Sequence, residues 1–590
     1  MVRYCFMNVK RISCLLVVFL SCANPVSAIE IRNGNLRGSI DTTLSYGHLY
    51  RVQSRSSNLV GIANGGTARS VNGDDGNLNY NSGLVSGTAK FTTELDLSYK
   101  SFGIFVRAFG FNDAQTDDTL RTPLTSKASR LVEKNVVLRD AYFWHEFNIA
   151  NMPAELRIGE QVLSWGESTF IQNSINTINP VDVSSLRSPG SELREALVPV
   201  GIVSASLGLT NNLSAEVFYQ YDWEQTVIDP AGSYFSTNDF AGDGSVFLVG
   251  GGQGQIGDYF GMALIPTTGI TAPAFAGRTG PEVTATRASN LEAEEGGQYG
   301  VAIRLYVPEL NDTEFGFYHI NYHSRLPIIN GVVGTAPGTL TNTQYQLSYP
   351  EDIKLYGLSF NTQIGSVALQ GEYSFREDAP LQVDDVEILA ASLNAGIPNQ
   401  LITAGAGTLA AGEFVQGHIE RNVSQFQMTA TKVFGQVLKA DQAVLLGEWA
   451  ITHIHGMPSK TNLLLEAPGV NSSGNPNNAA LLSHTLEEVD NFSDSTSWGY
   501  RLAGRLEYNN ALFGAVNLQP RFAWQHDVSG ITPGPGGNFV AGRKILTLGL
   551  RGVYQNQWEV DLNYTAYLGD NRQHLLHDRD FTAFSIKYSF

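Results

Sequence analysis

From residue 36 to the last residue the chain repeatedly alternates apolar or aromatic side chains with polar ones, in stretches of roughly ten to fifteen residues. Phe91, Thr93, Leu95, Leu97 and Tyr99 share one face of such a stretch, and Lys90, Thr92, Glu94, Asp96, Ser98 and Lys100 share the other. Trp558, Val560, Leu562 and Tyr564 alternate with Glu559, Asp561, Asn563 and Thr565 in the same way. A period of two marks β-strands whose faces meet different surroundings, because successive strand side chains point to opposite sides. On this basis the sequence predicts eighteen strands, near 36–50, 88–100, 103–111, 135–149, 154–165, 200–210, 212–224, 297–308, 313–324, 353–364, 366–376, 419–435, 441–455, 497–509, 514–528, 542–555, 557–568 and 580–590.

A soluble sandwich would use the same pattern with its apolar face inward, so the connections must separate the two folds. Tight turns at Ser101, Asn151-Met152-Pro153, Asn211-Asn212, 309–312, Gly365, 435–440, 509–513 and Asn556-Gln557 alternate strictly with long connections. A sandwich has no reason to place every short turn at one end, whereas an outer-membrane barrel has short periplasmic turns and long external loops. The expected fold is therefore all-β: a transmembrane antiparallel β-barrel of about 18 strands (range about 14–18), with a luminal plug of loop and short helix.

Composition agrees. Charged residues are 16%, against about 25% in ordinary soluble domains, as suits a chain whose outer surface meets hydrocarbon and whose backbone polar groups are satisfied by closure. With 38 Lys+Arg against 56 Asp+Glu the formal charge is −18, which excludes nucleic acid as a partner, since phosphate binding needs a basic face. Cys5, Cys14 and Cys22 all lie in the first 28 residues. There a basic start (Arg3, Lys10, Arg11), an apolar run from Cys14 to Leu20 and the small-residue exit Val26-Ser27-Ala28 read as a cleaved signal peptide. The expected domains are signal peptide 1–28 and one barrel, 29–590, in the outer membrane of a Gram-negative bacterium. Its first partner is outer-membrane lipid. Phe584, Ile586, Tyr588 and the terminal Phe590 resemble the C-terminal signal of outer-membrane barrels, which implies the barrel assembly machinery as a second partner.

The candidate site is the connection 166–199. It combines charges (Glu167, Asp182, Arg187, Glu192, Arg194, Glu195) with apolar Ile175, Ile178, Val181, Val183 and Leu186, and Pro189, Gly190 and Ser191 suggest a bend leading into a short helix. Solvent would not demand the apolar residues and lipid would not accept the charges, so the loop is expected to fold into the lumen. Trp165, Glu167, Asn179, Asp182, Arg187, Glu192 and Arg194 are the candidate pore constriction, and His319, His323 and Arg325 the candidate lumen lining. A second luminal segment is expected near 377–418, where Val383, Val386, Leu389, Ala390 and Leu393 recur at helical spacing as a plug, a hydrophobic gate or a cover for the mouth.

No catalytic residue, cofactor or metal is expected. Gly252, Gly254 and Gly257 match G-x-G-x-x-G but sit in a long loop without the strand and helix that dinucleotide binding needs. Gly166-Glu167-Ser168 lacks the second glycine of a nucleophile elbow. His453 and His455 share a strand face about 7 Å apart with no third ligand, and read as polar lumen lining.

The runs Leu156 to Gln161 and Trp165 to Ser168, the block Asn179-Pro180-Val181-Asp182-Val183 with Pro189-Gly190, Asn321 to Pro327, and Tyr349 to Gly357 with Ser359-Phe360-Asn361 resemble proteobacterial domain-of-unknown-function family 1302. Where the family pattern has two arginines before Pro-Gly, this chain has Arg187-Ser188. The resemblance implies an outer-membrane barrel, and a periplasmic or inner-membrane transport partner or a role in the use of hydrophobic compounds. It supplies no substrate and no catalytic residues.

The leading expectation is a passive channel for small hydrophobic or amphipathic molecules. Its basis is Phe105, Phe109 and Phe111 opposite Ile104 and Val106, an apolar strand on both faces. The alternatives are a structural or adhesive barrel that binds partners through its loops, and a lipid-modifying barrel enzyme.

Overall fold

The computed structural model describes residues 29–250, 254–256, 258, 282–393, 399–401, 409–482, 484–569 and 571–590. The expected signal peptide lies outside the described residues, as do Gly252 and Gly257. Eighteen strands form the wall: β1 (Leu36–Arg51), β2 (Gly83–Tyr99), β3 (Phe102–Asp113), β4 (Lys134–Ile149), β5 (Met152–Gln161), β6 (Val200–Gly208), β7 (Leu213–Gln220), β8 (Gln298–Val307), β9 (Thr313–Tyr322), β10 (Ile353–Ile364), β11 (Val367–Gln382), β12 (His418–Phe434), β13 (Gln442–Ile454), β14 (Thr496–Leu512), β15 (Val516–Ser529), β16 (Lys544–Tyr554), β17 (Trp558–Leu568) and β18 (Phe581–Ser589). Each pairs antiparallel with its neighbour in sequence, and β18 closes the sheet onto β1 with Arg51 opposite Phe581 and Thr43 opposite Ser589. The short strand Ile29–Asn33 pairs with Leu36–Ile40, continuing along β1 past the point where Phe590 ends.

The turns at one end are tight for a local reason. Ala150 and Asn151 have φ of 50° and 68°, and Gln555 and Asn556 have 52° and 58°. Two successive left-handed residues make the mirror-image turn whose twist matches paired strands. At the other end every connection is long.

The register fixes the faces. On β17, Leu562 pairs with Leu550 and Phe584, and Asp561 pairs with Arg551 and Ser585. The first set belongs to an exposed apolar belt that includes Leu562 (49% exposed), Phe317 (47%) and Leu358 (51%). So large an apolar surface on a closed sheet is a lipid-facing band. Among the described residues no helix is long and apolar enough to cross a membrane; the chain crosses with strands. It is an outer-membrane β-barrel, with its tight turns toward the periplasm.

The long loops build a cap over the open end. A second sheet runs in the order Phe414–Val415, Ile328–Val332, Gln344–Ser348, Thr284–Arg287, Phe247–Val249. The helix Asp385–Ser392 lies between two apolar clusters, Val386 and Ala390 facing Val71, Val249 and Leu340, and Ile388 and Ala391 facing Val333, Val415 and Leu465. The helical spacing of 383–393 thus belongs to a core helix of the cap, apolar on two sides, and not to an amphipathic stripe. Residues 394–398 and 402–408 of that connection lie outside the described residues.

Four strand limits differ from expectation by four residues or more, the first being the strand expected to begin at 88, which begins at Gly83. The strand expected to reach 165 stops at Gln161, the one expected to reach 224 stops at Gln220, and the one expected to end at 376 continues through a bulge between Arg376 and Ala379 to Gln382. His453 pairs with Ser424 and Thr496 in the same parity as exposed Leu445. His453 and His455 therefore stand on the outer face at the upper rim, not in the lumen.

Candidate functional site

The loop 162–199 leaves β5 and rejoins β6, and Asn179 ties its base. Its Nδ2 donates to the carbonyls of Gln161 and Val198, both at 3.0 Å, and its Oδ1 accepts from the Leu163 amide at 2.8 Å. These bonds take up backbone groups that would otherwise extend the β5 ladder, which is why the strand stops there.

From this base the loop runs along the inner wall. Trp165 is 1% exposed. Its ring packs 5.0 Å from Phe218 and 5.9 Å from Tyr318, and its Nε1 donates to Glu216 at 3.0 Å. Two wall carboxylates then hold loop backbone. Glu372 on β11 accepts from the amides of Glu167 and Ile175, and Glu448 on β13 accepts from three successive amides, Thr169, Phe170 and Ile171, at 2.8, 2.7 and 2.8 Å. Each carboxyl group accepts several amide protons at once, which lets one side chain hold a run of loop backbone. Leu163, Ile175 and Ile178 complete one apolar cluster with Ile202, Phe218, Tyr318, Ile320 and Leu355 of the wall. The apolar content of the loop is thus used against a wall that is itself apolar on its inner face, and not against a passing solute.

On the return, buried Arg325 donates to the carbonyls of Ile178 (2.7 Å) and Glu224 (3.2 Å) and to Gln220 Oε1 (2.9 Å). Asp182 caps the helix Val183–Arg187 through the Ser185 amide at 2.9 Å and pairs with Arg139 at 3.3 Å. Arg187 reaches Asp229 at 3.2 Å and lies 4.8 Å over the Phe235 ring. Pro189-Gly190 then passes against β1 and β18. A Cβ on Gly47 would come within 2.7 Å of Pro189, and one on Gly190, where φ is +64°, within 2.8 Å of Ser585.

Past this point the loop's charges join those of the wall. Arg194 pairs with Glu94 at 2.8 Å and Glu192 at 2.7 Å, and Glu192 pairs with Lys587 at 2.9 Å. Glu94 continues to Arg107 (2.7 Å), which in turn pairs with Asp140 (2.6 Å). Lys587 continues to Glu559 (3.8 Å), then Arg551 (3.4 Å), Asp561 (3.4 Å) and Arg521 (2.7 Å). Five acids and five bases make a charge-balanced belt of buried and half-buried side chains on the inner faces of β2–β4 and β15–β18. Beside it, Lys90 and Glu195 form a fully buried pair at 2.7 Å.

Of the seven candidate constriction residues, Glu192 and Arg194 meet in this belt, while Trp165, Asn179, Asp182 and Arg187 anchor the loop. Glu167 lies between, its carboxylate accepting from Asn361 at 3.1 Å. Burial, with repulsion from Glu372 and Glu314, pushes it up to about 7. The lining residues divide. Arg325 is inside, as an anchor. His323 is buried at the mouth, its ring bonded to the Gly296 carbonyl at 2.8 Å and the Asp352 amide at 3.1 Å. His319 is not luminal: it pairs with exposed Val301 and Tyr356 and its ring lies 4.9 Å from Tyr356 in an outer aromatic girdle. Sequence reasoning missed Glu94, Arg107, Lys587, Glu372 and Glu448. Their one signal was polar parity on a strand, which marks the face but not the contact.

A family profile described as "Protein of unknown function (DUF1302)" matches residues 10–590. The chain belongs to the DUF1302 family. No curated protein matches it. Among solved structures, Acinetobacter baumannii OccAB3 is similar at 11% identity and a TM-score of 0.40, over 94% of this chain and 99% of that one. A BenF-like porin from Pseudomonas fluorescens Pf-5 has 9% identity and a TM-score of 0.40, over 94% and 98%. Salmonella typhi OmpF, in complex with daunomycin, has 9% and 0.35, over 95% and 100%.

This DUF1302 barrel holds two spaces on the external side of the belt. The cap encloses a vestibule of about 910 Å³, lined by both polar residues such as Asn72 and Arg579 and apolar ones such as Val71, Val249, Ile329, Val386 and Leu389. A crevice of about 70 Å³ lies between β1–β3 and residues 184–189, lined by Leu49, Val85, Phe109, Phe111 and Phe235. Register puts Phe105, Phe109 and Phe111 opposite Asp96, Thr92 and Lys90, on the inner face.

Proposed function

We propose that the protein is a passive outer-membrane channel for small hydrophobic or amphipathic molecules, narrowed by the loop 162–199. The observation that carries this reading is the belt: the charges that Glu192 and Arg194 bring to the inner wall are neutralised pairwise, so the narrow part offers a solute polarity without net charge. Such a belt gives a simple ion little electrostatic preference, and the mixed lining of the vestibule with the apolar crevice suits a solute with a hydrophobic body and a polar end. The loop is the narrowing element because it is fixed at its base, at the wall carboxylates and at the belt, and does not hang free. An aqueous pore of eighteen strands without such a loop would be wide and unselective.

Planar-bilayer recordings test this. The native protein should show small conductance with weak ion selectivity, and the double variant Glu192→Ser, Arg194→Ser should raise conductance while uptake of a panel of sterols, terpenes, aromatics and fatty acids loses its preference. Large, unselective native conductance, or no change in the folded variant, would remove this loop from the pore.

A further inference from the structure

Where β11 ends at Gln382 the chain enters the cap, and Asp384 stands at the N-cap position of the helix Asp385–Ser392. An N-cap aspartate ordinarily accepts an amide of the first turn. Asp384 makes no such bond, and although it is fully buried, neither of its carboxylate oxygens has a hydrogen-bond partner. Asp385 and Glu466 lie beside it, and one oxygen from each of the three carboxylates lies within 4.8 Å of the other two. The charged groups acting on Asp384 are Glu466, Asp385 and Glu387, all acidic. Glu387 is satisfied elsewhere, by Ser473 at 2.7 Å and Asn478 at 2.6 Å. The contrast is the cap's other acidic group, Asp74, Asp239 and Asp258, which has Arg121 2.8 Å from Asp258 as a cation of its own.

Three carboxylates this close, one of them wholly out of water, need a countercharge or protons. Burial and repulsion from neighbouring carboxylates hold Asp384 and Glu466 well above the usual carboxylate range, and burial pushes Asp385 up to about 6. We propose that Asp384, Asp385 and Glu466 form a calcium site that ties the loop 383–417 to the loop 455–495 at the mouth of the channel. Calcium takes six to eight oxygens, carboxylates among them, in flexible geometry at about 2.3–2.6 Å, while magnesium keeps several waters and is usually held by one or two carboxylates. Three carboxylates that can each turn an oxygen to one centre therefore suit the larger ion. Asp385 and Glu466 line the vestibule, which supplies a route for the ion and room for water to complete its shell. A site of this kind on an external loop falls in the extracellular affinity class, with Kd of about 10⁻⁴ to 10⁻³ M.

The test uses the full-length barrel in detergent, stripped with EDTA and titrated with calcium chloride by equilibrium dialysis, with thermal unfolding as a second reading. The expected result is saturable binding with millimolar-or-better affinity, and a Tm that rises with calcium and falls again with EDTA. The double variant Asp384→Asn, Glu466→Gln should bind one ion fewer per chain and lose the calcium-dependent rise. In EDTA it should be at least as stable as the native protein, because the repulsion is gone. Asp385→Asn, which spares buried Asp384 as well as Glu466, should weaken calcium about tenfold or more and keeps the test open if the double variant does not fold. Absence of saturable binding by the native protein, native stoichiometry in the double variant, native affinity in Asp385→Asn, or magnesium binding as tightly as calcium would each overturn the assignment.

Discussion

Asn179 ends one strand and begins another, since its side chain bonds the backbone of Gln161, Leu163 and Val198 at once. Replacing it by alanine leaves two carbonyls and one amide without these partners, at about 1–3 kcal/mol. Asn179→Ala should leave the barrel's Tm nearly unchanged while hydrogen exchange in 162–199 speeds up about tenfold or more; exchange at the native rate would show that the other anchors suffice. Glu167 carries a different expectation. With its carboxyl raised to about 7 by burial, it is neutral below that pH and negative above it. Its contribution to stability therefore declines as pH rises from the ordinary glutamate value of about 4.3 through 7, because the folded state binds the extra proton there. Between about pH 6 and 8 the lumen gains one negative charge, so the cation-to-anion permeability ratio should rise, and Glu167→Gln should abolish that rise. Neither residue announced its use in the sequence. Asn179 was singled out within a conspicuous block, whereas Glu372 and Glu448, which hold five loop amides, look like any acid on a polar strand face.

At the scale of the strand, period-two patterning located all eighteen wall strands because each has lipid on one side and protein or water on the other. The limits moved where tertiary contacts compete for the last backbone groups, as Asn179 does beyond Gln161. The faces yield an asymmetric expectation. Leu562→Arg puts a cation into the outer belt at about 2–4 kcal/mol if near the midplane, whereas Asn563→Arg lands beside Asp561, which already accepts from Asn563 at 3.1 Å. The first should impair folding in vesicles, followed by heat-modifiable gel migration and urea unfolding, and the second should not; equal tolerance would contradict the register. The helix Asp385–Ser392 was visible as spacing, and its place in the cap fits the expected cover for the mouth, but spacing did not show that it is packed on two sides. Apolar residues at helical intervals look the same whether one flank or two are covered, and only the neighbouring loops supply the second cover.

Closure belongs to the whole molecule. The Thr42 amide donates to the Phe590 carbonyl at 2.7 Å and the Phe590 amide to the Thr42 carbonyl at 2.9 Å, while the Phe590 ring lies 5.4 Å from Tyr588 on the outer face. Deleting Phe590 thus removes both a ring and two closing hydrogen bonds, and Phe590→Ala removes the ring alone, worth about 1.5–3 kcal/mol of burial. If the assembly machinery reads the ring, Phe590→Ala should lower outer-membrane levels nearly as far as the deletion while the protein that does assemble keeps a near-native Tm; normal levels would refute that role. The sequence by itself determined the barrel, its closure into an even number of strands, which apolar side chains face lipid, and which connections are long, but it put His319, His453 and His455 on the wrong face. All of these are local, since a strand records its two surroundings within a few residues. What the lumen does was decided only by the tertiary structure. The Glu167 amide meets Glu372 across 205 residues and the Ile171 amide meets Glu448 across 277. Such pairs exist only once the curvature of the closed sheet has brought distant strands around the same loop, and no local periodicity carries that distance.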